Sequence, residues 1–248
     1  MLKAITFDLW GTLFDESGET GKDARRCHRL VGALEESGYR GVSADRLISL
    51  YGQLRDRGTH RRRVQAREYP PEEQIFWLLE QVGVDVDWRT FDHLVEAYVG
   101  VSLDEPPRVL DGAREVLASL AETYQLTLIC NTGATPGWVL RPLLDQAGLL
   151  PYLKSPVFSN ETGVAKPHPL IFRRALDGVG GFQPQEAVHI GDDPVYDVQG
   201  PQNFGMKAVW IDAGIHTDKP QPDAVVHRLR DVPAAIAELA ANLRSATA

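Results

Sequence analysis

The chain has 248 residues, 43% hydrophobic and 24% charged, an ordinary balance for a globular protein with room for one large domain or two parts. Its formal net charge of −8 argues against a general nucleic-acid binder, which would want a basic face. Two cysteines, Cys27 and Cys130, cannot build a disulfide framework and read as reduced thiols of a cytoplasmic protein; no leader-like start and no membrane-spanning apolar run is expected. Residues 4–7 are a short run with strand preference, apolar except for Thr6, and Asp8 follows at once. Such a run reads as a buried parallel strand, and in open α/β sheets ligands bind where such strands end. From Asp15 to Gly21 the text is polar, as in a loop.

A helical texture then begins. Ala24, Cys27, Val31 and Leu34 recur at helical spacing before Gly38. Leu47, Leu50, Tyr51 and Leu54 form a second stripe after Ser43. Pro70, Pro71, Glu72 and Glu73 open a third helix that Gly83 stops. Trp88, Phe91, Leu94, Val95 and Tyr98 mark a fourth. Trp77 and Trp88 read as core of this block. No strand signal appears between residues 20 and 102, so these helices suggest a small bundle of their own.

From Pro106 strands and helices alternate. Val116, Leu117 and Leu120 fit a helix, Gln125 to Cys130 a strand, and Pro136 opens a helix that Pro142 should kink or shorten. Pro156 to Ser159, Ala187 to Ile190 and Lys207 to Ile211 read as further strands, and Asp231 and Pro233 open a last helix. The expected fold is therefore α/β, a Rossmann-like doubly wound parallel sheet of five or more strands with helices on both faces. Residues 1–15 and 105–248 would form that core, and 16–104 a four-helix cap inserted after the first strand.

Four strand-end clusters carry chemistry: Asp8 with Thr12; Cys130, Asn131 and Thr132; Lys166 before Pro167; and Gly191, Asp192 and Asp193 with Asp197. Taken singly, Lys166 reads as a surface lysine before a turn, and the three aspartates as acids at a helix N-terminus. Together, in this order, they resemble the haloacid dehalogenase-like superfamily of hydrolases, mostly phosphatases with an aspartate nucleophile, and the inserted block resembles that family's helical cap. The resemblance implies Asp8 as nucleophile. It implies Mg²⁺ held by Asp8, the carbonyl of Trp10, and Asp192, with Asp193 and Asp197 holding metal waters or orienting Lys166. The implied substrate is a small anionic metabolite, with no nucleic acid or membrane as partner. Chemically, a carboxylate can attack phosphorus to give an acyl phosphate, provided cations hold the two anions together. Lys166 would add a point charge.

Two positions depart from the family pattern. Trp10 stands where family phosphatases have a second aspartate, the general acid/base, and an indole N–H only donates. Cys130 stands where Ser or Thr usually bonds the phosphoryl group; Thr132 or the backbone at Asn131 would substitute. Trp10 makes 2-haloacid dehalogenation the rival activity, since halide departure needs no proton, and a degenerate phosphate-binding protein is a third reading. The retained acidic cluster favours the phosphatase. The arginines at 55, 57, 61, 62, 63 and 67 read as a solvated helix face or as a lid for an anionic substrate. Arg25, Arg26 and Arg29 could face the cleft. His189 reads as a core or sheet-face residue.

Overall fold

The computed structural model describes residues 1–16, 21–214 and 221–245. The strands are β1 (Ala4–Phe7), β2 (Gln125–Cys130), β3 (Val157–Phe158), β4 (Ala187–Gly191), β5 (Lys207–Ile211) and β6 (Ala224–Val226). They form one parallel sheet in the order β3-β2-β1-β4-β5-β6. All of β1 is buried between its neighbours, which explains its near-continuous apolar text. The sheet grows from β1 through β2 to β3 on one side and through β4 to β6 on the other. That reversal leaves a crevice at the strands' C-terminal ends, beside β1. One polar row crosses the sheet there: Thr6 lies in register with Thr127 on β2 and His189 on β4, all buried.

Four helices follow β1: α1 (Lys22–Glu36), α2 (Ala44–Gln65), α3 (Pro71–Val82) and α4 (Trp88–Asp104). Each boundary has a local cause. Pro71 opens α3, and Gly83 ends it with φ 68°, a left-handed cap that glycine adopts without strain. Asp87 caps α4 by accepting the Thr90 N–H at 2.8 Å. The chain leaves and re-enters the sheet layer at one place. Asp15 N donates to Arg108 O at 2.8 Å, Leu110 N donates to Leu13 O at 2.9 Å, and Arg108 pairs with Asp15 at 2.6 Å.

The remaining helices are α5 (Ala113–Ala121), α6 (Gly137–Gln146), α7 (Ser159–Thr162), α8 (Pro169–Gly178), α9 (Gly200–Phe204) and α10 (Val232–Ser245). The last strand, β6, is too short to be read from sequence, whereas helix α8 was missed although Ile171, Phe172, Ala175 and Leu176 recur at helical spacing. Helix α6 runs on through Pro142. Trp77 is buried as expected, but Trp88 is 70% exposed at the start of α4. First-turn residues project past the packed face, and the Arg89 guanidinium covers its ring instead. Among the described residues, no helix is long and apolar enough to cross a membrane.

Candidate active site

Asp8 directly follows β1, and its N–H donates to Ile190 O on β4 at 2.8 Å. Lys166 meets it there, wholly buried, with Nζ 2.6 Å from Asp8 Oδ1 and 2.6 Å from Asp197 Oδ1. A buried lysine is tolerable only with such partners. Asn131 aims it: Asn131 Oδ1 accepts the Lys166 N–H at 2.8 Å, and Asn131 Nδ2 donates to Lys166 O at 3.2 Å. The loop after β2 thus fixes a residue 35 positions on.

Asp197 sits on a wide helical turn, Pro194–Gln199, after β4. It accepts from Lys166, from His189 Nε2 at 3.1 Å, and on Oδ2 from the Asp193 N–H at 2.9 Å. Burial lowers the His189 pKa and keeps the ring neutral. A neutral ring that donates from Nε2 must accept at Nδ1, where Thr6 Oγ1 lies at 2.6 Å. His189 is therefore a positioning residue for Asp197. Burial opposes the charge of Asp197, yet Lys166 and His189 hold its carboxyl below the usual range. Burial also opposes the charge of Lys166, and Asp197 and Asp8 hold it protonated.

Asp192 completes the floor. One carboxylate oxygen from each of Asp8, Asp192 and Asp197 lies within 4.8 Å of the others. Gly11, at φ 73°, makes this possible: a Cβ there would fall 2.5 Å from Asp192 Oδ2. Gly191 does the same for Asp197, whose Cγ would lie 2.3 Å from an added Cβ. Thr12 Oγ1 reaches Asp192 Oδ1 at 3.4 Å. Burial, reinforced by Asp197, pushes the Asp8 carboxyl up to about 7 and that of Asp192 up to about 9. Acids crowded this way fit an oxygen-loving divalent cation, which would restore both to the ionised form.

Two expected residues lie beside the cluster: Asp193 lines the same cavity, and Cys130 is close enough to feel the charges of Asp8 and Lys166. Cys130 is wholly buried in the hydrophobic core and does not line the cavity; burial holds its thiol well above the ordinary range. Thr132 lines the cavity instead. Asp193 lies outside the three-carboxylate cluster, its Oδ1 accepting the N–H groups of Val195 and Tyr196 at 2.7 and 2.8 Å. Trp10 lines the cavity and packs on Phe14 with ring centroids 6.1 Å apart.

The cavity holds about 600 Å³ and extends from Asp8 up to α1, α2 and the 66–70 connection. That connection docks on the core: Ala165 N donates to Ala66 O at 2.8 Å, and Ser159 Oγ donates to the buried Glu68 at 2.5 Å. Ser159 in turn accepts the Thr132 N–H at 2.9 Å. Glu68 and His189 are contributors that sequence reasoning missed. The polar row Thr6, Thr127 and His189 was the available signal for the second; nothing local marked Glu68.

Residues 2–205 match the model of the haloacid dehalogenase-like hydrolases. A glyceraldehyde 3-phosphate phosphatase of Pyrococcus abyssi is 32% identical over 219 residues, 86% of this chain and 83% of that one. A phosphoserine phosphatase of Thermus thermophilus is 38% identical over 122 residues, 48% of each chain, so this chain matches about half its length. A 2-haloacid dehalogenase from Pseudomonas syringae pv. Tomato superposes with a TM-score of 0.69 at 26% identity, over 96% of this chain and 99% of that one. The strand-end site, the parallel sheet and these likenesses agree: the chain belongs to the haloacid dehalogenase-like hydrolases.

Proposed function

We propose that this hydrolase is a Mg²⁺-dependent phosphatase of a small phosphorylated metabolite, working in the cytoplasm through an aspartyl-phosphate at Asp8. The observation that carries this reading is the cluster of Asp8, Asp192 and Asp197 around a doubly bonded Lys166. Asp8, Asp192 and the Trp10 carbonyl would hold the ion, with Asp197 behind them orienting Lys166. The chemistry a bound Mg²⁺ would supply is charge neutralisation between carboxylates and phosphate.

The chain's own residues do the rest. Asp8, in its ionised form, attacks phosphorus, the P–O bond to the organic part breaks, and the departing oxygen takes its proton from water, since Trp10 cannot supply one. Lys166 draws charge from the attacking carboxylate and the phosphoryl oxygens. Water then hydrolyses the acyl phosphate and regenerates Asp8. Thr132 lines the wall at the strand ends and is the available side-chain hydroxyl for the phosphoryl group. Residues 16–104, as a cap hinged where residues 13–15 meet 108–110, would exclude water from this chemistry. The names of the relatives agree on substrate class: glyceraldehyde 3-phosphate and phosphoserine are both small phosphate monoesters.

Trp10 favours a second reading, 2-haloacid dehalogenation, because it lines the cavity and cannot shuttle a proton. A panel of phosphate esters against 2-haloacids, with Mg²⁺ and with EDTA, separates the two. Phosphate release that needs Mg²⁺ and disappears in a folded Asp8→Asn variant is the expected result. Metal-independent halide release, or substantial phosphate turnover by Asp8→Asn, refutes it.

A further inference from the structure

One buried line of side chains runs from inside the sheet to Asp8. Thr6 of β1 and His189 of β4 lie in register, both wholly buried. Thr6 Oγ1 is 2.6 Å from His189 Nδ1, and His189 Nε2 is 3.1 Å from Asp197 Oδ1. The same Asp197 oxygen accepts from Lys166 Nζ at 2.6 Å, and that Nζ reaches Asp8 Oδ1 at 2.6 Å. Neither Thr6 nor His189 is among the residues that line the cavity, so neither touches what binds there. Thr127, the other residue in register with Thr6, donates its hydroxyl proton to Ser155 O at 3.2 Å and takes no part.

The protons along this line have one arrangement. An ionised carboxylate only accepts, so Nε2 carries the hydrogen that faces Asp197. Burial keeps the ring neutral, which leaves a bare lone pair on Nδ1, and Thr6 is the donor that meets it. Without that donor the ring is free to take the other tautomer, and the Nε2 lone pair then faces a carboxylate oxygen at 3.1 Å. The surroundings offer no substitute. Phe172 sets its ring at 81° to the imidazole, centroids 5.9 Å apart, and Phe204 stacks on Phe172 at 5.7 Å. A polar atom left unpaired in such a place is costly. The neutrality of the donor matters as well. It orients Asp197 without cancelling its charge, so Lys166 keeps two ionised partners when Asp8 attacks. A lysine or arginine in place of His189 would cancel that charge.

We propose that Thr6 is a positioning residue for the reaction at Asp8: its hydroxyl fixes the Nε2–H tautomer of His189, which orients Asp197 and, through Asp197, sets Lys166 against the nucleophile. The inference rests on Asp8 as the nucleophile of the proposed phosphatase. It adds a residue two positions upstream that acts through the interior of the sheet and not through the cavity.

Long-range proton–nitrogen spectra of the full chain with isotope-labelled histidine rings read the tautomer directly, His189 being assigned through its contact with the Phe172 ring. A neutral ring protonated at Nε2 is expected near neutral pH. A neutral ring protonated at Nδ1, or a charged ring, overturns the proposal. Kinetics with p-nitrophenyl phosphate and Mg²⁺ read the function. Thr6→Val keeps the shape and removes the donor, so kcat should fall about tenfold, the worth of one buried hydrogen bond, with KM nearly unchanged. Thr6→Ser should restore most of the loss. Thr127→Val, the same change in the same buried row, should leave kcat within about twofold. In a Lys166→Met background Thr6→Val should cost nothing further, because the line acts through the lysine. Melting curves accompany every variant, and Thr6→Ala replaces Thr6→Val where the latter does not fold. An unchanged kcat in the folded variant, no rescue by Thr6→Ser, or an equal loss without Lys166 overturns the proposal. No phosphate release by the wild type refutes the phosphatase reading instead, and halide release from 2-chloropropionate then scores the same variants.

Discussion

The strand-end half of the cavity and the helical half solve the same problem, buried charge, in opposite ways. At the strand ends Asp8 and Asp192 directly follow strands and Asp197 sits on the turn after β4, while Lys166 reaches in from the loop beyond α7, and the groups bond to one another across 158 and 31 residues of sequence. In the helices, charge is dispersed through a buried polar chain. Tyr51 and Tyr98 share a hydrogen bond at 2.8 Å, Tyr98 donates to Gln74 at 2.7 Å, and Gln74 donates to Tyr69 O at 2.5 Å. The first arrangement concentrates negative charge at one point and fits chemistry that needs a cation. The second spreads polar groups over a wall and fits recognition. The sheet makes the strand-end geometry rigid, whereas the helical wall depends on how each helix is rotated and docked.

The largest expected effect breaks the strand-end half. Lys166→Met keeps the length of the side chain and removes its charge, leaving Asp8 without its cation and Asp197 held only by His189 and the Asp193 N–H. Removing one partner from a buried pair costs about 3–5 kcal/mol, read as a urea midpoint in EDTA. Turnover with Mg²⁺ should fall by about 10²–10³, the usual worth of one such electrostatic contact. Near-wild-type turnover would show that the lysine serves only folding. The comparable change in the helical wall, Arg55→Ala in the cavity lining, should cost much less turnover, and that contrast is what distinguishes the two halves.

Trp10→Asp sharpens the comparison from within the strand-end half. If phosphoryl transfer here lacks a proton shuttle, alkyl phosphates suffer most, because their leaving alcohol needs a proton that an aryl leaving group does not. Restoring a carboxyl should raise alkyl-phosphate turnover by up to about 10²-fold and aryl-phosphate turnover less. The variant also loses the packing of Trp10 on Phe14, so melting curves accompany the kinetics. No gain on any ester in a folded, Mg²⁺-binding Trp10→Asp protein would argue that the pocket is not shaped for phosphoryl transfer.

The same contrast explains what could be read in advance. Asp8, Asn131 and Asp192 were legible because each follows a strand's short apolar run, and in a parallel sheet every such run ends on the same rim; Lys166, in the loop beyond α7, was legible only from its place in the motif order. The helices were legible from their 3.6-residue stripes, down to the Gly83 stop. Their facing was not. In the basic stretch of α2, Arg55 and Arg62 line the cavity while Arg63 is turned to solvent, and nothing local separates them. Trp88 was misread for a related reason: periodicity places a residue on a face but not inside the packed length of that face. Cys130 shows a different limit. Strand residues alternate sides, so the residue aligned with the site by order can still point into the core, and only the neighbouring strands decide which way it goes. Glu68 becomes significant only through Ser159, 91 residues on.

The smallest effect is a shift in stability, and its sign follows from the crowded acids. In the metal-free protein Asp8 titrates at about 7 and Asp192 at about 9, both above the unfolded value of 3.8. A carboxyl raised on folding favours the fold in its protonated form. That contribution is complete below the unfolded pKa and disappears as pH rises through about 7 and then about 9. Asp197 runs the other way, since its folded pKa is lowered: its contribution is present above the unfolded value and is lost only on acidification. Between about pH 6 and about pH 8.5 the two raised groups therefore dominate, and the apo protein should lose stability over that window. Mg²⁺ requires the ionised carboxylates, so the increment in Tm on adding it should be larger at about pH 8.5 than at about pH 6, by about 2–4 °C for each kcal/mol of linkage. Asp192→Asn removes the group raised furthest and should flatten both the apo pH profile and the Mg²⁺ increment, whereas Arg55→Ala should leave the slope of the apo profile intact. An increment independent of pH, or one that survives in Asp192→Asn, would mean that the ion does not sit among these carboxylates, and the division of labour between the two halves would have to be redrawn.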